Sequence, residues 1–324
     1  MFVSALALVA LAIPAPADTG AVLYAKWCSS CHGADGRGVS KTMTRLEVPA
    51  ADLANCRISS AEPEEQWVGI VRDGGDAYGL SLDMPSFGEN ASANQIGWIV
   101  RYIKSLCTDP AWPPGELNFP RAFYAEKAFP ENEIVLVAEG REQAFIYERR
   151  IGPRFQIEAI ARAVLDGGDV FGGVTAAVKY NLWHNLSRLM LASVGVEVTP
   201  PVGRQTEWEL EPFLSFGANP GGVTPVQAEV LATIEDGFAG ATVNVGVGRE
   251  VGRVVPMLEA SWVIPRQGQQ GLTLAPQVWV QLSRLGHVAA SIGVEVPVAG
   301  PSRDARLVAF VLWDFADGSL TAGW

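Results

Sequence analysis

Lysine is scarce in this chain of 324 residues. It stands at 26, 41, 104, 127 and 179 and nowhere beyond, so the chain after residue 179 carries its charge on Asp, Glu and Arg. The formal net charge is -11, and binding to phosphate backbones needs clustered Lys and Arg, so nucleic acid is excluded as a partner. No run of 18 uninterrupted apolar residues occurs, which leaves no candidate for a membrane-crossing helix. Cysteine is sparse as well. The four cysteines, at 28, 31, 56 and 107, all lie in the first third, which gives that third its own covalent chemistry. The apolar run from Met1 to Ile13 has no Lys or Arg ahead of it and is shorter than the roughly 20 residues of a spanning helix. It ends in Ala15-Pro16-Ala17, an A-x-A pattern that predicts a secretory signal over residues 1–17, removed before Asp18.

Cys28-Ser29-Ser30-Cys31-His32 is a C-x-x-C-H motif. Two thiols at this spacing on one helical turn can each bond a haem vinyl group, and the adjacent histidine then reaches the iron as proximal ligand. A thioredoxin-type pair needs no histidine there, and no βαβ pattern surrounds this one. A structural zinc site needs a second ligand pair, whereas Cys56 and Cys107 stand alone. The motif therefore predicts one covalent haem c held by Cys28, Cys31 and His32. The other axial ligand is expected at Met84, in Leu82-Asp83-Met84-Pro85-Ser86-Phe87-Gly88, a Pro/Gly-containing loop between two helical segments. Met43, His184 and His287 are its rivals. His/Met ligation raises the reduction potential relative to two histidines. Cys56 and Cys107 form an even remainder that can close a disulfide in an exported protein; the alternative is two unpaired buried thiols.

Around the motif the pattern is helical. Thr19 can cap a helix through Leu23, Tyr24 and Trp27. Pro63 to Val71 reads as a second helix, stopped by Gly74-Gly75. Ala91 to Leu106 reads as a third, with Ile96, Ile99, Val100 and Ile103 on one stripe. The order helix, methionine loop, helix over residues 18–108 resembles class I cytochrome c. That resemblance implies an all-α domain whose first and last helices cross, with Tyr24 or Trp27 against Tyr102.

Asp109-Pro110-Ala111-Trp112-Pro113-Pro114-Gly115 breaks the pattern and reads as a domain boundary, with a linker over 109–130. From Ile134 the period becomes two, and ten to twelve strand-like segments follow. Leu272, Leu274, Pro276, Val278, Val280 and Leu282 face opposite Thr273, Ala275, Gln277, Trp279, Gln281 and Ser283. Trp208, Leu210, Pro212, Leu214 and Phe216 oppose Glu207, Glu209, Glu211 and Ser215, and Val288, Ala290, Ile292, Val294 and Val296 oppose Ser291, Gly293 and Glu295. A soluble sandwich would bury the apolar face and wet the other, and would normally spend several lysines on the wet face. The polar faces here use Gly, Ser, Thr, Gln and Glu with scattered Arg, which suits a confined lumen. Lipid tolerates no open sheet edge, so such strands must close.

Residues 131–324 resemble the outer-membrane β-barrels of porin-like transporters, including the phenol-degradation transporter type. The joining segment, with Glu126-Lys127-Ala128-Phe129-Pro130-Glu131, resembles linkers of bacterial cytochrome–barrel fusions. The whole is expected to be multidomain: an all-α cytochrome domain, then an antiparallel barrel of about 10–12 strands. The last clear strand is Arg306 to Phe315, so either the barrel closes there or the tail to Trp324 adds a short strand. The resemblances imply an exported electron carrier rather than an enzyme, alone or as the electron-transfer subunit of a dehydrogenase complex, with redox proteins of the periplasm and outer-membrane lipid as partners. The alternative is a soluble periplasmic carrier with a partner-binding β domain. A barrel of this size is narrow and its lumen should be filled by side chains, which argues against a wide solute channel.

Overall fold

The computed structural model describes residues 16–315 apart from 41, 61, 110, 111, 113, 166–169, 284 and 285. The expected secretory signal lies outside the described residues save for its last two, and so does the tail beyond Phe315. The chain divides into two compact units, Met1–Asn55 with Glu64–Thr108, and Cys56–Pro63 with Asp109–Trp324.

Among the described residues five α-helices precede the strands: α1 (Pro16–Trp27), α2 (Ser29–His32), α3 (Cys56–Ser59), α4 (Glu64–Asp73) and α5 (Ala93–Ser105). Thr19 does not cap α1: it lies inside the helix, whose described part already includes Pro16. Gly74, at φ 85°, ends α4 in a conformation that favours glycine. Ser92 caps α5 through a reciprocal box, its hydroxyl accepting from the Gln95 N–H and its own N–H donating to the Gln95 side chain at 2.9 Å. The Ile96, Ile99, Val100 and Ile103 stripe is buried as expected. α1 crosses α5 at Gly20, where a Cβ would stand 2.2 Å from the Trp98 carbonyl oxygen, so only glycine permits the approach. Tyr24 meets Tyr102 with ring centroids 5.1 Å apart, while Trp27 instead stacks on Phe87 at 6.0 Å.

The second unit is a closed antiparallel barrel of twelve strands. These are β1 (Glu133–Glu139), β2 (Glu142–Ile151), β3 (Phe155–Val164), β4 (Phe171–Asn185), β5 (Met190–Thr199) and β6 (Glu209–Ala218), followed by β7 (Val226–Glu235), β8 (Gly237–Gly248), β9 (Val254–Pro265), β10 (Gly271–Gln281), β11 (Val288–Ala299) and β12 (Arg306–Asp314). Each strand pairs with its neighbours in sequence, and β12 closes on β1 from Glu133↔Asp314 to Glu139↔Val308. Closure thus takes the last clear strand read from the sequence.

The two faces are sorted as in a membrane barrel. Val278 points outward at 41% exposure, whereas its neighbour Gln277 is 4% exposed inside. Leu214, Val245, Ile292 and Val294 stand outward, and Ser215, Asn244, Ser291 and Glu295 are buried inside. Val288 departs from the expected exposed face: it is buried beside the turn, where its carbonyl accepts the Leu282 N–H at 2.8 Å.

The stretch expected as a linker over 109–130 differs from Gly115 onward. Leu117, Phe119, Arg121, Ala122, Ala125, Lys127 and Phe129 are buried, and their partners are lumen-facing side chains of the strands. Apolar and charged residues alternate here because both find partners inside the barrel, so irregular backbone did not mean solvated chain.

Candidate haem site

The C-x-x-C-H segment forms a single tight turn directly after α1. The Cys28 N–H donates to the Tyr24 carbonyl at 2.8 Å, and the Cys28 carbonyl accepts from the N–H groups of Cys31 at 3.2 Å and His32 at 2.9 Å. This places Cys28 and Cys31 three residues apart on one helical face. Neither is in a disulfide, although both are close in sequence. Cys28 is buried, and burial pushes its thiol up to about 11, so it remains protonated at neutral pH. Gly33, at φ 77°, turns the chain away, and its carbonyl accepts the buried Tyr24 hydroxyl at 2.8 Å. That bond ties the turn to α1.

His32 is oriented by backbone. Its Nδ1 lies 3.1 Å from the Ala51 carbonyl oxygen, which can only accept, so Nδ1 carries the proton and Nε2 keeps its lone pair. Burial also lowers the His32 pKa, which holds the ring in the neutral form that binds metals. The carbonyl is itself fixed nearby, where Leu53 N–H donates to the Gly36 carbonyl at 2.6 Å.

Met84 lies half-buried against the same apolar cluster that contains Cys28, Trp67 and Val71. Its N–H donates to the Ser81 carbonyl at 3.2 Å, and its carbonyl accepts the Gly75 N–H at 3.0 Å. A Cβ at Gly75 would sit 2.4 Å from the Ser81 oxygen and 2.9 Å from the Met84 Cβ, so the methionine loop packs where only glycine fits. The Glu47 N–H donates to an Asp83 carboxylate oxygen at 3.2 Å, joining that loop to the segment after Met43. Leu82 and Met43 are each 80% exposed on these two joined loops. Two free thiols, a neutral imidazole with a free Nε2, a thioether in the same cluster and apolar loop edges fit a flat apolar macrocycle with a central metal.

The rivals of Met84 have other settings. Met43 is exposed, with its N–H bonded to the Ser40 carbonyl at 2.9 Å. His184 and His287 belong to the barrel unit, His184 with its ring against the Asn181 side chain at 3.0 Å and His287 buried. Cys56 and Cys107 are joined in a disulfide.

Two supports of the site were not singled out in the sequence. The Ala51 carbonyl acts through backbone alone and leaves no side-chain signal. Asp83 had a signal in its place beside Met84.

Residues 15–103 match the family model for cytochrome c oxidase, cbb3-type, subunit III. No curated protein sequence matches the chain. Among solved structures, the chain is similar to the KdgM porin at 13% identity and a TM-score of 0.47, over 56% of this chain and 99% of the porin. It is likewise similar to the COG4313 outer membrane channel from Pseudomonas putida F1, at 10% identity and a TM-score of 0.47, over 60% of this chain and 99% of that one. The NanC porin gives 6% identity and a TM-score of 0.44, over 56% and 98% of the two chains.

Proposed function

We propose that this chain is an exported electron carrier: one covalent haem c in residues 18–108, held to the outer membrane by the barrel of residues 131–324, with the haem unit in the periplasm. The observation that carries the reading is the His32 imidazole, directed by the Ala51 carbonyl to offer Nε2, on the turn that presents two free thiols. Haem bound there would supply a one-electron couple. Cys28 and Cys31 would hold it by thioether bonds, His32 would be the proximal ligand, and Met84 would approach from the loop braced by Gly75. With both axial positions taken by protein, no coordination site is left for substrate, which makes the chain a carrier rather than an enzyme. Its partners would be redox proteins of the periplasm.

The sorting of the barrel faces supports the membrane role. Apolar side chains outward and polar ones inward is the reverse of a soluble core. Trp208 and Trp262 stand outward at one rim, and Tyr180 and Trp183 at the other, as aromatic girdles do at the two lipid–water boundaries. The 11-residue β10, tilted by roughly 45°, rises about 25 Å, which matches the apolar band of such barrels.

The haem assignment is tested by replacing Cys28 and Cys31 together with alanine. Haem staining on a denaturing gel should be lost. Full retention of stain would show that these thiols do not carry the group.

A further inference from the structure

The two rims of the barrel differ in charge. One rim carries the turns 152–154, 186–189, 219–225, 249–253 and 282–287, with the start of β1 and the end of β12. Arg149, Arg154, Arg188, Arg249 and Arg253 stand exposed there, and Glu250 is the one acidic residue among the described residues of those turns. Glu133, Glu148 and Asp314, at the strand ends of the same rim, are buried and leave the outer surface uncompensated. The opposite rim is balanced. Its arginines, such as Arg204 and Arg303, share their turns with Glu207 and Asp304, and Arg306 pairs with Glu139 at 2.6 Å and Glu295 at 2.8 Å.

Among the described residues, none of the five exposed arginines is in an ion pair. Three of them rest on neutral groups. The Arg154 guanidinium donates to the Leu182 carbonyl at 3.3 Å, and that of Arg249 to the Thr224 hydroxyl at 3.0 Å. That of Arg149 lies 5.8 Å from the centre of the Phe315 ring. A guanidinium has five N–H donors, so one bond to a neutral oxygen leaves most of them for an outside acceptor.

Their position is a second observation. Residues on one face of a strand recur every second place. On β2 the outward row runs Phe145, Tyr147, Arg149 and Ile151, and on β8 Val245 and Val247 lead to Arg249 just past the strand end. Arg154, Arg188 and Arg253 lie within three residues of the exposed Ile151, Leu186 and Val254. The apolar rows read as lipid-facing thus run directly up to guanidinium groups, at the rim where Tyr180 and Trp183 also stand outward. An arginine stem lies along apolar surface while its charge stays in the polar layer above.

We propose that this rim is an arginine collar that binds the phosphate groups of anionic phospholipids in the leaflet on its side, so that the barrel gathers such lipids there and not at its other rim. This rests on the membrane reading of the barrel. Guanidinium forks match phosphate oxygens in two-bond geometry. A cation without a partner at a low-dielectric boundary also attracts an anion more strongly than it would in bulk water. An acidic protein would feel the same charge, but its binding would not require apolar rows that end at the arginines.

The test uses the full-length protein in nanodiscs of phosphatidylethanolamine with phosphatidylglycerol as the minor lipid. Lipids that stay with the protein through detergent extraction and gel filtration are counted by mass spectrometry. Phosphatidylglycerol should be enriched about fivefold over the bulk mixture, the effect of one arginine at an anionic surface. Replacing Arg149, Arg154, Arg188, Arg249 and Arg253 by glutamine should remove the enrichment, with folding verified by heat-modifiable mobility. Arg141→Gln, Arg266→Gln and Arg303→Gln together, on the opposite rim, should leave it unchanged. A second readout needs no variant. A photoreactive phosphatidylglycerol should cross-link the wild type at the turns 152–154, 186–189 and 249–253, and not at 266–270 or 300–305. Cross-links spread evenly over both rims would overturn the collar. So would enrichment that survives in the folded collar variant or vanishes in the control. A wild type that needs detergent yet shows no enrichment would overturn the collar alone and leave the arginines to an acidic protein. A protein that stays soluble without detergent would contradict the membrane reading itself, and the collar with it.

Discussion

Gly75→Ala probes whether the methionine loop is held in place by close packing. Gly75 has φ -65° and ψ -37°, which alanine adopts freely, so the backbone does not resist the change. The added methyl meets the Ser81 carbonyl oxygen at 2.4 Å and the Met84 Cβ at 2.9 Å, so one side must move by more than half an ångström. That carbonyl accepts the Met84 N–H, so the movement falls on the turn that positions the thioether. Overpacking of this kind costs roughly 1–3 kcal/mol. The lower entropy of the unfolded chain returns about 0.4–1 kcal/mol, leaving a net loss of about 1–2 kcal/mol. Each 1.4 kcal/mol is a factor of ten in an equilibrium, so the ratio of molecules with Met84 in place to molecules with it displaced should fall by about that factor. The assay is the weak sulfur-to-iron absorption band of the oxidised protein, read together with the reduction potential and a urea melt. Gly97→Ala is the control, since its Cβ would meet nothing nearer than the Arg101 side chain at 3.6 Å. It should stabilise α5 by roughly 0.5–1 kcal/mol and leave the band alone. An undiminished band and an unchanged potential in Gly75→Ala would refute the packing argument.

Met84→Ala should abolish the sulfur-to-iron band and lower the potential, because a thioether favours ferrous iron; an unaltered spectrum would transfer the role to Met43 or a histidine. Ile292→Arg places a charge on the outward face at a position 55% exposed. Near the midplane of a bilayer it should cost roughly 2–4 kcal/mol, measured by unfolding from lipid vesicles, whereas on a soluble surface it would stay within about 0.5 kcal/mol. Replacing Cys56 and Cys107 by serine opens a loop of about 50 residues and should cost up to about 4 kcal/mol. Urea midpoints of the variant and of the reduced wild type should then coincide, and a variant as stable as the oxidised protein would show that the bond constrains nothing.

Local signals carried much of the fold. The C-x-x-C-H turn, the α5 stripe and the period-two strands each depend on neighbours in sequence. The strand faces at 272–282 and 208–216 could be sorted into lumen and exterior because lysine is absent there. The disulfide followed from an even cysteine remainder. The seating of residues 117–132 against the lumen-facing side chains was missed. Its backbone has no periodicity, and its partners, such as Glu259 and Gln227, come from strands far away in sequence. Gly217 and Gly293 read only as small residues in strands until the Phe119 and Phe123 rings beside them were placed. Long-range pairing of side chain to irregular backbone leaves no local pattern.

Membrane fractionation with haem staining tests the central claim most directly. Cells expressing the chain should be lysed and their outer membranes separated, washed in high salt and run on a denaturing gel. One covalently haem-stained band should remain with the outer membrane and leave it only in detergent. A stained band released into the soluble fraction, or an outer-membrane band without stain, would contradict a haem carrier anchored by its barrel.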